Sequence, residues 1–277
     1  SYADRNPCLG DHARGHCAAG FHVEVPEQGM SVTTLPFRVA VCGRHLDDLH
    51  RRLKGFPIEV VTENPELVIS YGGDGALLGA ERVWPGVPKC PIRDVRRNPK
   101  CPKHGEEQVL TMLVRGELRS SQLMRLQAEA PDGSHRYAIN DVVIAKQNPA
   151  SAVRTRIWLG EELLQSQNVG DGLLVATPFG STGYYQSITR GCFLTGIGLA
   201  FNNPMHWQDY IVLPEDTVVR VEILRGPALL LADNDPARIC LTDGDRLTVK
   251  RVSGTTTAYG MDIFRCRDCY RLRQDGV

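Results

Sequence analysis

Short apolar runs separated by polar turns dominate the chain after residue 36. Residues 37–42 form a mostly apolar run that is typical of a buried strand. Leu46, Leu49 and Leu53 then recur at helical spacing, and a glycine at position 55 ends this pattern. The chain from residue 37 is therefore predicted to begin with a strand followed by an amphipathic helix.

Two more short apolar runs follow, at residues 58–61 and 67–71, and both are predicted to be strands. The second run leads directly into three glycines around one aspartate, and an apolar helix is expected from residue 76 to about residue 84. Alternation of strands and helices indicates an open α/β sheet, which binds its ligand at the ends of its strands.

The region between residues 84 and 107 is dense in proline and basic residues. It is too long for a plain connection, so we expect either a functional lid or an insertion. Residues 109–115 and 121–129 are predicted to be strands because their apolar residues form short runs with partial alternation.

Short strands with turn signals between them dominate the second half of the chain. Residues 154–159 and 163–167 are predicted to form one hairpin, and residues 218–224 and 229–232 a second. The Asp-Gly-Asp turn at residues 243–245 precedes another apolar run. This half is therefore predicted to be mostly β.

The predicted fold is a Rossmann-like α/β domain followed by a C-terminal domain that resembles a β-sandwich. The expected boundaries are an N-terminal extension, the α/β domain, the mostly-β domain and a C-terminal segment, at residues 1–36, 37–135, 136–254 and 255–277.

Composition narrows the classes of partner. The chain has 277 residues, of which 42% are hydrophobic and 23% charged, and its formal net charge is +0. A chain without net charge has no overall electrostatic attraction to nucleic acid or to an acidic membrane. We therefore expect its partners to be small molecules and further copies of the same chain. No apolar run approaches the roughly 20 residues that span a bilayer, and no secretory pattern opens the sequence, so we expect a cytoplasmic location. The nine cysteines are expected to be mostly reduced thiols.

The glycine-rich turn carries the clearest chemistry. Gly72, Gly73 and Gly75 surround Asp74 at the end of a predicted buried strand. Glycines let backbone N–H groups approach a phosphate closely, and a carboxylate beside them can act as a base. The alternative is a tight turn in which the aspartate only caps the following helix.

Two later segments place polar groups within apolar strands. Asn140 and Asp141 interrupt one apolar run, where a polar pair either binds a ligand or caps a turn. Asp171 precedes another apolar run, which ends in a turn of small and hydroxyl residues suited to line a nucleotide pocket. Tyr184 closes this turn, and the alternative is that it is a core aromatic residue.

These three segments, in this order, resemble the signature of the NAD kinase family, which phosphorylates the 2′-hydroxyl of the adenosine ribose of NAD. The family has a Gly-Gly-Asp-Gly loop, an Asn-Glu pair, and a Gly-Asp-Gly-Leu strand followed by Thr-Pro-Thr-Gly-Ser-Thr-Ala-Tyr. The resemblance covers roughly residues 37–252. It implies transfer of a phosphoryl group from ATP, or a similar donor, to NAD, with Mg²⁺ or another divalent cation accompanying the donor.

The resemblance also implies roles for single residues. Asp74 falls on the general base, and the three glycines beside it fall on the loop that cradles the donor phosphates. Asn140 and Asp141 fall on the pair that binds the adenosine end of NAD. Asp171 falls on the carboxylate that reaches the nicotinamide end, often in a neighbouring subunit, which implies a homodimer or homotetramer. The residues on the turn around the adenine are Ser181, Thr182 and Tyr184, and Asp233 is a weaker match to a later family turn.

Three departures identify a divergent member of the family. Ala76 replaces a threonine, Asp141 replaces a glutamate, and Phe179 replaces a hydroxyl residue. They leave two alternatives open. One is a related lipid or sugar kinase, and the other is a non-catalytic regulator that binds NAD or another nucleotide.

Four possible metal ligands occur in two spaced pairs. Cys101 and His104 form one pair, and Cys266 and Cys269 the other. Two such pairs would suit a tetrahedral structural zinc ion, although free thiols are the alternative. In the resembled family the last segment of the chain tends to return to the first domain, which implies that the pairs could meet.

Overall fold

The computed structural model describes residues 37–96, 102–205 and 210–269. The predicted N-terminal extension, residues 1–36, lies outside this described part. The strands are β1 (Phe37–Gly43), β2 (Ile58–Val60), β3 (Leu67–Tyr71), β4 (Lys89–Ile92), β5 (Ser120–Glu129), β6 (His135–Ala138), β7 (Asp141–Lys146), β8 (Val153–Leu159), β9 (Glu162–Gly170), β10 (Gly172–Ala176), β11 (Ile197–Asn202), β12 (Tyr210–Leu213), β13 (Val219–Arg225), β14 (Ala228–Ala232), β15 (Ile239–Leu241) and β16 (Arg246–Tyr259). The helices are α1 (Leu46–Leu53), α2 (Asp74–Val83), α3 (Glu106–Val114), α4 (Tyr184–Thr189) and α5 (Met261–Phe264).

The first part of the chain forms a parallel sheet in the order β2-β1-β3-β4. Every residue of β3 is buried, as expected for a strand covered on both faces. The carboxyl end of β3 delivers the glycine-rich turn, after which α2 begins. The sequence therefore predicted this α/β arrangement correctly.

Two predictions for the following region were wrong. Residues 109–114 lie in helix α3 rather than in a strand, and residue 115 caps that helix: Val109, Leu110 and Leu113 face the core of the parallel sheet at helical spacing. The region between residues 84 and 107 contains strand β4, which a buried Lys-Cys-Pro-Ile sequence forms beside β3. This short buried strand was not predicted because a lysine and a proline interrupt its apolar pattern.

The second part of the chain is a β-sandwich. A six-stranded sheet in the order β12-β11-β10-β7-β14-β15 faces strands of the larger sheet across one apolar core. The predicted hairpin of β8 and β9 is confirmed. The second predicted hairpin is wrong, because β13 pairs with β8 and β16 whereas β14 pairs with β7 and β15 in the opposite sheet. The connection between β13 and β14 therefore crosses from one sheet to the other.

Strand β16 joins the two parts of the molecule. It pairs antiparallel with β5 and β13, and its residue Ala258 pairs in parallel with Lys89 of β4. A single ten-stranded sheet therefore runs from the parallel region into the sandwich. Helix α5 follows β16 and returns the chain to the carboxyl end of β4. Within the described residues, no helix has the length and apolar character needed to cross a bilayer.

Candidate active site

The turn between β3 and α2 presents backbone amides beside one carboxylate. Gly72 has a φ of 144°, which favours glycine, and a Cβ there would lie only 3.2 Å from the methyl group of Ala76. Asp74 is the first residue of α2, and its side chain is 47% exposed. The first N–H groups of a helix have no partner within the helix and attract anions. The turn can therefore receive a phosphate next to a solvent-accessible carboxylate.

Two arginines flank this carboxylate. Arg93, which follows β4, and Arg265, which follows α5, each bring Nη2 close to Oδ1 of Asp74, at 3.5 Å and 3.6 Å. Arg93 lies over the ring of Phe264 at 3.9 Å and donates from Nε to the carbonyl oxygen of that residue at 2.9 Å. These contacts hold the Arg93 guanidinium at the edge of the turn.

Arg265 is held in the same way by a residue of the sandwich. Its guanidinium lies 3.8 Å from the centre of the Phe179 ring, and Nη1 donates to the Phe179 carbonyl oxygen at 2.9 Å. Burial lowers the pKa of Arg265, and the nearby charge of Asp74 opposes that effect. Guanidinium groups bind phosphate oxygens in a planar, bidentate way, so the pair can neutralise a polyphosphate beside Asp74.

A two-residue turn after β14 links the Asp74 turn to the second polar segment. Asn234 donates from Nδ2 to the carbonyl oxygen of Gly75 at 2.9 Å. Its neighbour Asp233 accepts hydrogen bonds from the backbone N–H groups of Ile139, Asn140 and Asp141, at 3.0, 2.8 and 3.1 Å. Adjacent residues of one turn therefore hold the two predicted halves of the site against each other.

The Asn140–Asp141 pair lies at the start of β7, at the junction with this turn. Asn140 donates from Nδ2 to Oδ2 of Asp141 at 2.9 Å. Asp141 is only 4% exposed, and burial together with the charge of Asp233 raises its pKa to about 7, against the hydrogen bond from Asn140. Burial also raises the pKa of Asp233 to about 6, despite its three backbone hydrogen bonds. Asp141 and Asp233 therefore form a buried acidic site in which both carboxyl groups have raised pKa values.

The small-residue turn after β10 packs directly on Asn140. A Cβ at Gly180 would lie 2.0 Å from the Asn140 carbonyl oxygen, so only glycine fits there. Thr177 donates from Oγ1 to the carbonyl oxygen of Ile139 at 2.6 Å. Phe179 of the same turn also contacts Arg265, so a series of contacts runs from Asp74 through Arg265 and this turn to Asn140. The turn at residues 233–234 provides a second connection between the same two places.

Comparison with known proteins identifies the family. Residues 139–259 match the family model of the ATP-NAD kinase C-terminal domain. The chain is 31% identical over 201 residues to the NAD kinase of Gemmatimonas aurantiaca, and the alignment covers 67% of this chain and 69% of that relative. The chain belongs to the NAD kinase family. It is also 28% identical over 226 residues to the NAD kinase of Porphyromonas gingivalis W83, with 71% of this chain and 75% of that relative covered.

Solved structures in the NAD kinase family share the fold. Yeast NADH kinase complexed with NADH superimposes with a TM-score of 0.71 at 15% identity, covering 86% of this chain and 87% of that one. An NAD kinase from Archaeoglobus fulgidus in complex with ATP gives a TM-score of 0.67 at 20% identity, covering 85% and 99%. The predicted α/β domain followed by a β-sandwich is therefore confirmed.

The predicted adenine-turn residues differ in what their side chains do in this chain. Ser181 is fully buried, and its hydroxyl lies 2.8 Å and 3.0 Å from the carbonyl oxygens of Pro178 and Phe193. Thr182 is partly exposed, and its hydroxyl lies 3.5 Å from the Phe179 carbonyl oxygen. Ser181 thus shapes the turn, whereas the side chain of Thr182 partly reaches solvent.

Tyr184 is close enough to the carboxylates of Asp141 and Asp171 to feel their charge. Its hydroxyl accepts a hydrogen bond from Nδ2 of Asn202 at 2.9 Å, and its side chain is exposed. Burial of the hydroxyl, with the charges of Asp141 and Asp171, raises its pKa. Tyr184 is therefore a surface aromatic rather than a core one, whereas its neighbour Tyr185 is buried.

Asp171 lies away from the Asp74 turn. It forms an ion pair with Lys146, 2.6 Å from Nζ to Oδ1. Asp171 lies just before β10, and Thr177 lies just after it. About six residues of extended chain, roughly 20 Å, therefore separate Asp171 from the turn that packs on Asn140. The structure does not bring Asp171 to the base of its own chain.

The family departures have different structural consequences. The ring of Phe179 provides the surface on which Arg265 lies, so its replacement of a hydroxyl residue has a clear packing role. Asp141 remains bonded to Asn140 despite its shorter side chain. Nothing in the structure explains Ala76 in place of threonine.

Sequence analysis missed three residues of the site, namely Arg93, Arg265 and Asn234. Arg93 directly follows a buried strand, so a charge at the carboxyl end of β4 would have indicated it once that strand was recognised. Arg265 is 191 positions after Asp74, and no local pattern predicts their proximity. Asn234 adjoins Asp233, for which the family resemblance offered a weak match.

A cavity of about 280 Å³ opens beside the site, between α2 and β6, and Asp233 borders it. Its walls include Arg82, Arg125 and Arg136. Arg82 is bonded to Asn234, and Arg125 is paired with Glu81, so two of these charges have partners in the fold. Asp74 is not among the lining residues, and we assign this cavity no part in the reaction.

The predicted metal ligands are partly brought together. His104, Cys266 and Cys269 form a cluster whose ligand atoms all lie within 4.8 Å of one another. Cys101, the fourth predicted ligand, lies outside the described residues.

Proposed function

We propose that this chain transfers the terminal phosphoryl group of ATP to the 2′-hydroxyl of NAD, giving NADP, in the crevice between the Asp74 turn and the sandwich. The observation that carries the proposal is the turn at residues 233–234, which bonds to Gly75 on one side and to the Asn140–Asp141 segment on the other. A base and an adenosine-binding pair held so closely can act on one dinucleotide. The ligands in the two solved relatives, NADH and ATP, support this assignment.

Each group has a defined part in the transfer. The carboxylate of Asp74 accepts the proton from the ribose hydroxyl as that oxygen forms a bond to the phosphorus and ADP leaves. The amides of Gly73 and Gly75 and the guanidinium groups of Arg93 and Arg265 offset the charge of the phosphates. Phosphoryl transfer depends mainly on such positioning and charge neutralisation, so no covalent intermediate is required.

The donor is expected to carry Mg²⁺ or another divalent cation. Mg²⁺ keeps several waters and is held by one or two carboxylates together with substrate phosphates. The half-exposed carboxylate of Asp74 fits such a cation, because it offers one oxygen ligand beside open solvent, where the cation can keep its waters. The cation would neutralise phosphate charge, and Asp74 is the residue that would contact it.

The NAD-binding residues are proposed to extend along the sandwich. Asn140 and Asp141 bind the adenosine ribose, and Thr182 and Tyr184 border the adenine. Because Asp171 lies about one strand length from this point, we propose that it serves the nicotinamide end in a neighbouring subunit of a homodimer or homotetramer. Size-exclusion chromatography with light scattering tests the assembly, and a monomer that is fully active would contradict it. The cytoplasmic location stays a prediction from the sequence.

A coupled assay of NADP formation tests the proposed base. Asp74→Asn is expected to lose roughly 10²–10⁴-fold in kcat while keeping its affinity for NAD, because only proton transfer is removed. Asp47→Asn is the matched control, since Asp47 is an exposed aspartate at the start of α1. No NADP from pure wild-type protein that binds NAD would favour the non-catalytic regulator. Phosphorylation of a lipid or sugar in place of NAD would favour the related kinases.

A further inference from the structure

We propose that His104, Cys266 and Cys269 bind a structural zinc ion at the junction between α5 and α3. Their ligand atoms all lie within 4.8 Å of one another, and Nδ1 of His104 lies 3.7 Å from Sγ of Cys269. Zn–S and Zn–N bonds of about 2.3 and 2.0 Å at a tetrahedral angle place such atoms roughly 3.6 Å apart. The separation of His104 and Cys269 therefore matches a zinc site, and the cluster as a whole would close slightly around the ion.

The chemistry of the donors favours zinc over the harder cations. Two thiolates and one imidazole suit zinc, whereas magnesium and calcium require oxygen ligands. The two cysteines are separated by two residues, a spacing common in structural zinc sites. His104 comes from a 3₁₀ turn at Pro102–His104, which lies 162 positions before Cys266 in the chain. The fold, rather than a local motif, brings the third ligand to the pair.

The three residues combine a buried ligand with two that solvent can reach, as a metal site requires. Cys269 is only 1% exposed, whereas His104 and Cys266 are partly exposed. An ion can therefore enter from solvent and complete its coordination with a further ligand. Cys101 is the predicted candidate, but it lies outside the described residues, and the proposal rests on the other three.

A zinc ion here would hold together two chain segments that support the proposed active site. Cys266 directly follows Arg265, whose guanidinium lies beside Asp74. On the other side, His104 is two residues before Glu106, which accepts a hydrogen bond from the Tyr71 hydroxyl at 2.6 Å. Tyr71 is the last residue of β3, immediately before the glycine turn. The ion would thus cross-link the segment that carries Arg265 to the segment that supports the turn.

Metal content tests the proposal without reference to phosphoryl transfer. Wild-type protein purified without chelators is expected to hold about one zinc ion per chain by elemental analysis. Cys266→Ser and His104→Ala are expected to lose it, with affinity reduced by more than the roughly 10–100-fold that loss of an outer-shell partner costs. Cys240→Ser and His135→Ala are matched controls, because both residues are exposed and outside the cluster. The controls are expected to retain the ion.

Cobalt provides a second readout that does not require the variants to fold. Metal-stripped wild-type protein titrated with Co²⁺ is expected to develop the visible and near-ultraviolet bands of tetrahedral thiolate coordination. Zinc added back should raise its melting temperature. The proposal is overturned if wild-type protein contains no zinc and gives no such bands, or if Cys266→Ser and His104→Ala retain as much zinc as the controls. Either result would leave the proposed kinase activity untouched.

Discussion

Asp74 and Asp141 are two carboxylates of the proposed site, and they lie in opposite environments. Asp74 is half exposed, with two guanidinium groups within 3.6 Å. Asp141 is buried, faces the negative charge of Asp233, and has a pKa raised to about 7. Environment assigns different roles to chemically identical groups. The exposed carboxylate, supported by cations, suits proton transfer to and from a substrate, whereas the buried one suits binding whose strength depends on pH.

Among the residues around these two carboxylates, apart from the base itself, loss of Arg265 is expected to have the largest effect. Arg265→Ala should reduce kcat/KM for ATP roughly 10–100-fold, because a charge-assisted hydrogen bond contributes about 1.5–3 kcal/mol. Arg267→Ala is the matched control, since Arg267 is an exposed arginine two positions away. Steady-state kinetics at saturating NAD measure the effect. Equal losses in the two variants would show that Arg265 has no specific role.

The pH dependence of NAD binding should follow Asp141. Its ionised form accepts ribose hydrogen bonds, so KM for NAD is expected to fall about tenfold as pH rises from 6 to 8 through its pKa of about 7. Asp141→Glu should retain a pH-dependent profile, and Asp141→Asn should flatten it. If Asp141→Asn keeps the wild-type profile, another group is responsible.

The same residue should lower the stability of the fold. Because the folded-state pKa of Asp141 is raised above 3.8, the native protein holds this proton more tightly than the unfolded chain does. The resulting penalty is absent below about pH 3.8 and complete above about pH 7. Asp141→Asn is therefore expected to gain at least about 1 kcal/mol at pH 8, roughly 2–4 °C in Tm, and less at pH 5. Thermal melts at both pH values test this, and an equal gain at both would contradict it.

The smallest effect is expected at Phe179. Phe179→Leu keeps an apolar side chain but removes the ring on which Arg265 lies. A cation–π contact contributes about 0.5–1 kcal/mol, so kcat/KM for ATP should fall roughly two- to fivefold. In the Arg265→Ala background the same substitution should have no further effect. Additive losses would mean that the two residues act independently.

Features with a local cause could be predicted from the sequence. The glycine turn follows a buried strand, and its composition alone identifies both the strand end and Asp74. The hairpin of β8 and β9 was predictable because a tight turn separates two alternating runs. The start of the sandwich strand β7 was marked by two polar residues in an apolar run.

Features determined by distant contacts could not be predicted. The prediction of a strand at α3 was wrong because a short apolar run is compatible with both helical and strand periodicity. Only the sheet that α3 covers decides between them. The partners of β13 and β14 are set by the two sheets rather than by their connection. Arg265 reaches Asp74 only because β16 and α5 return the chain to the carboxyl end of β4.

A crystal structure of the protein with NAD bound tests the central claim most directly. The account predicts that the adenosine 2′-hydroxyl lies about 2.6–3.2 Å from a carboxylate oxygen of Asp74, with Asn140 and Asp141 on the same ribose. NAD bound with that hydroxyl remote from Asp74, and the carboxylate facing solvent, would contradict it.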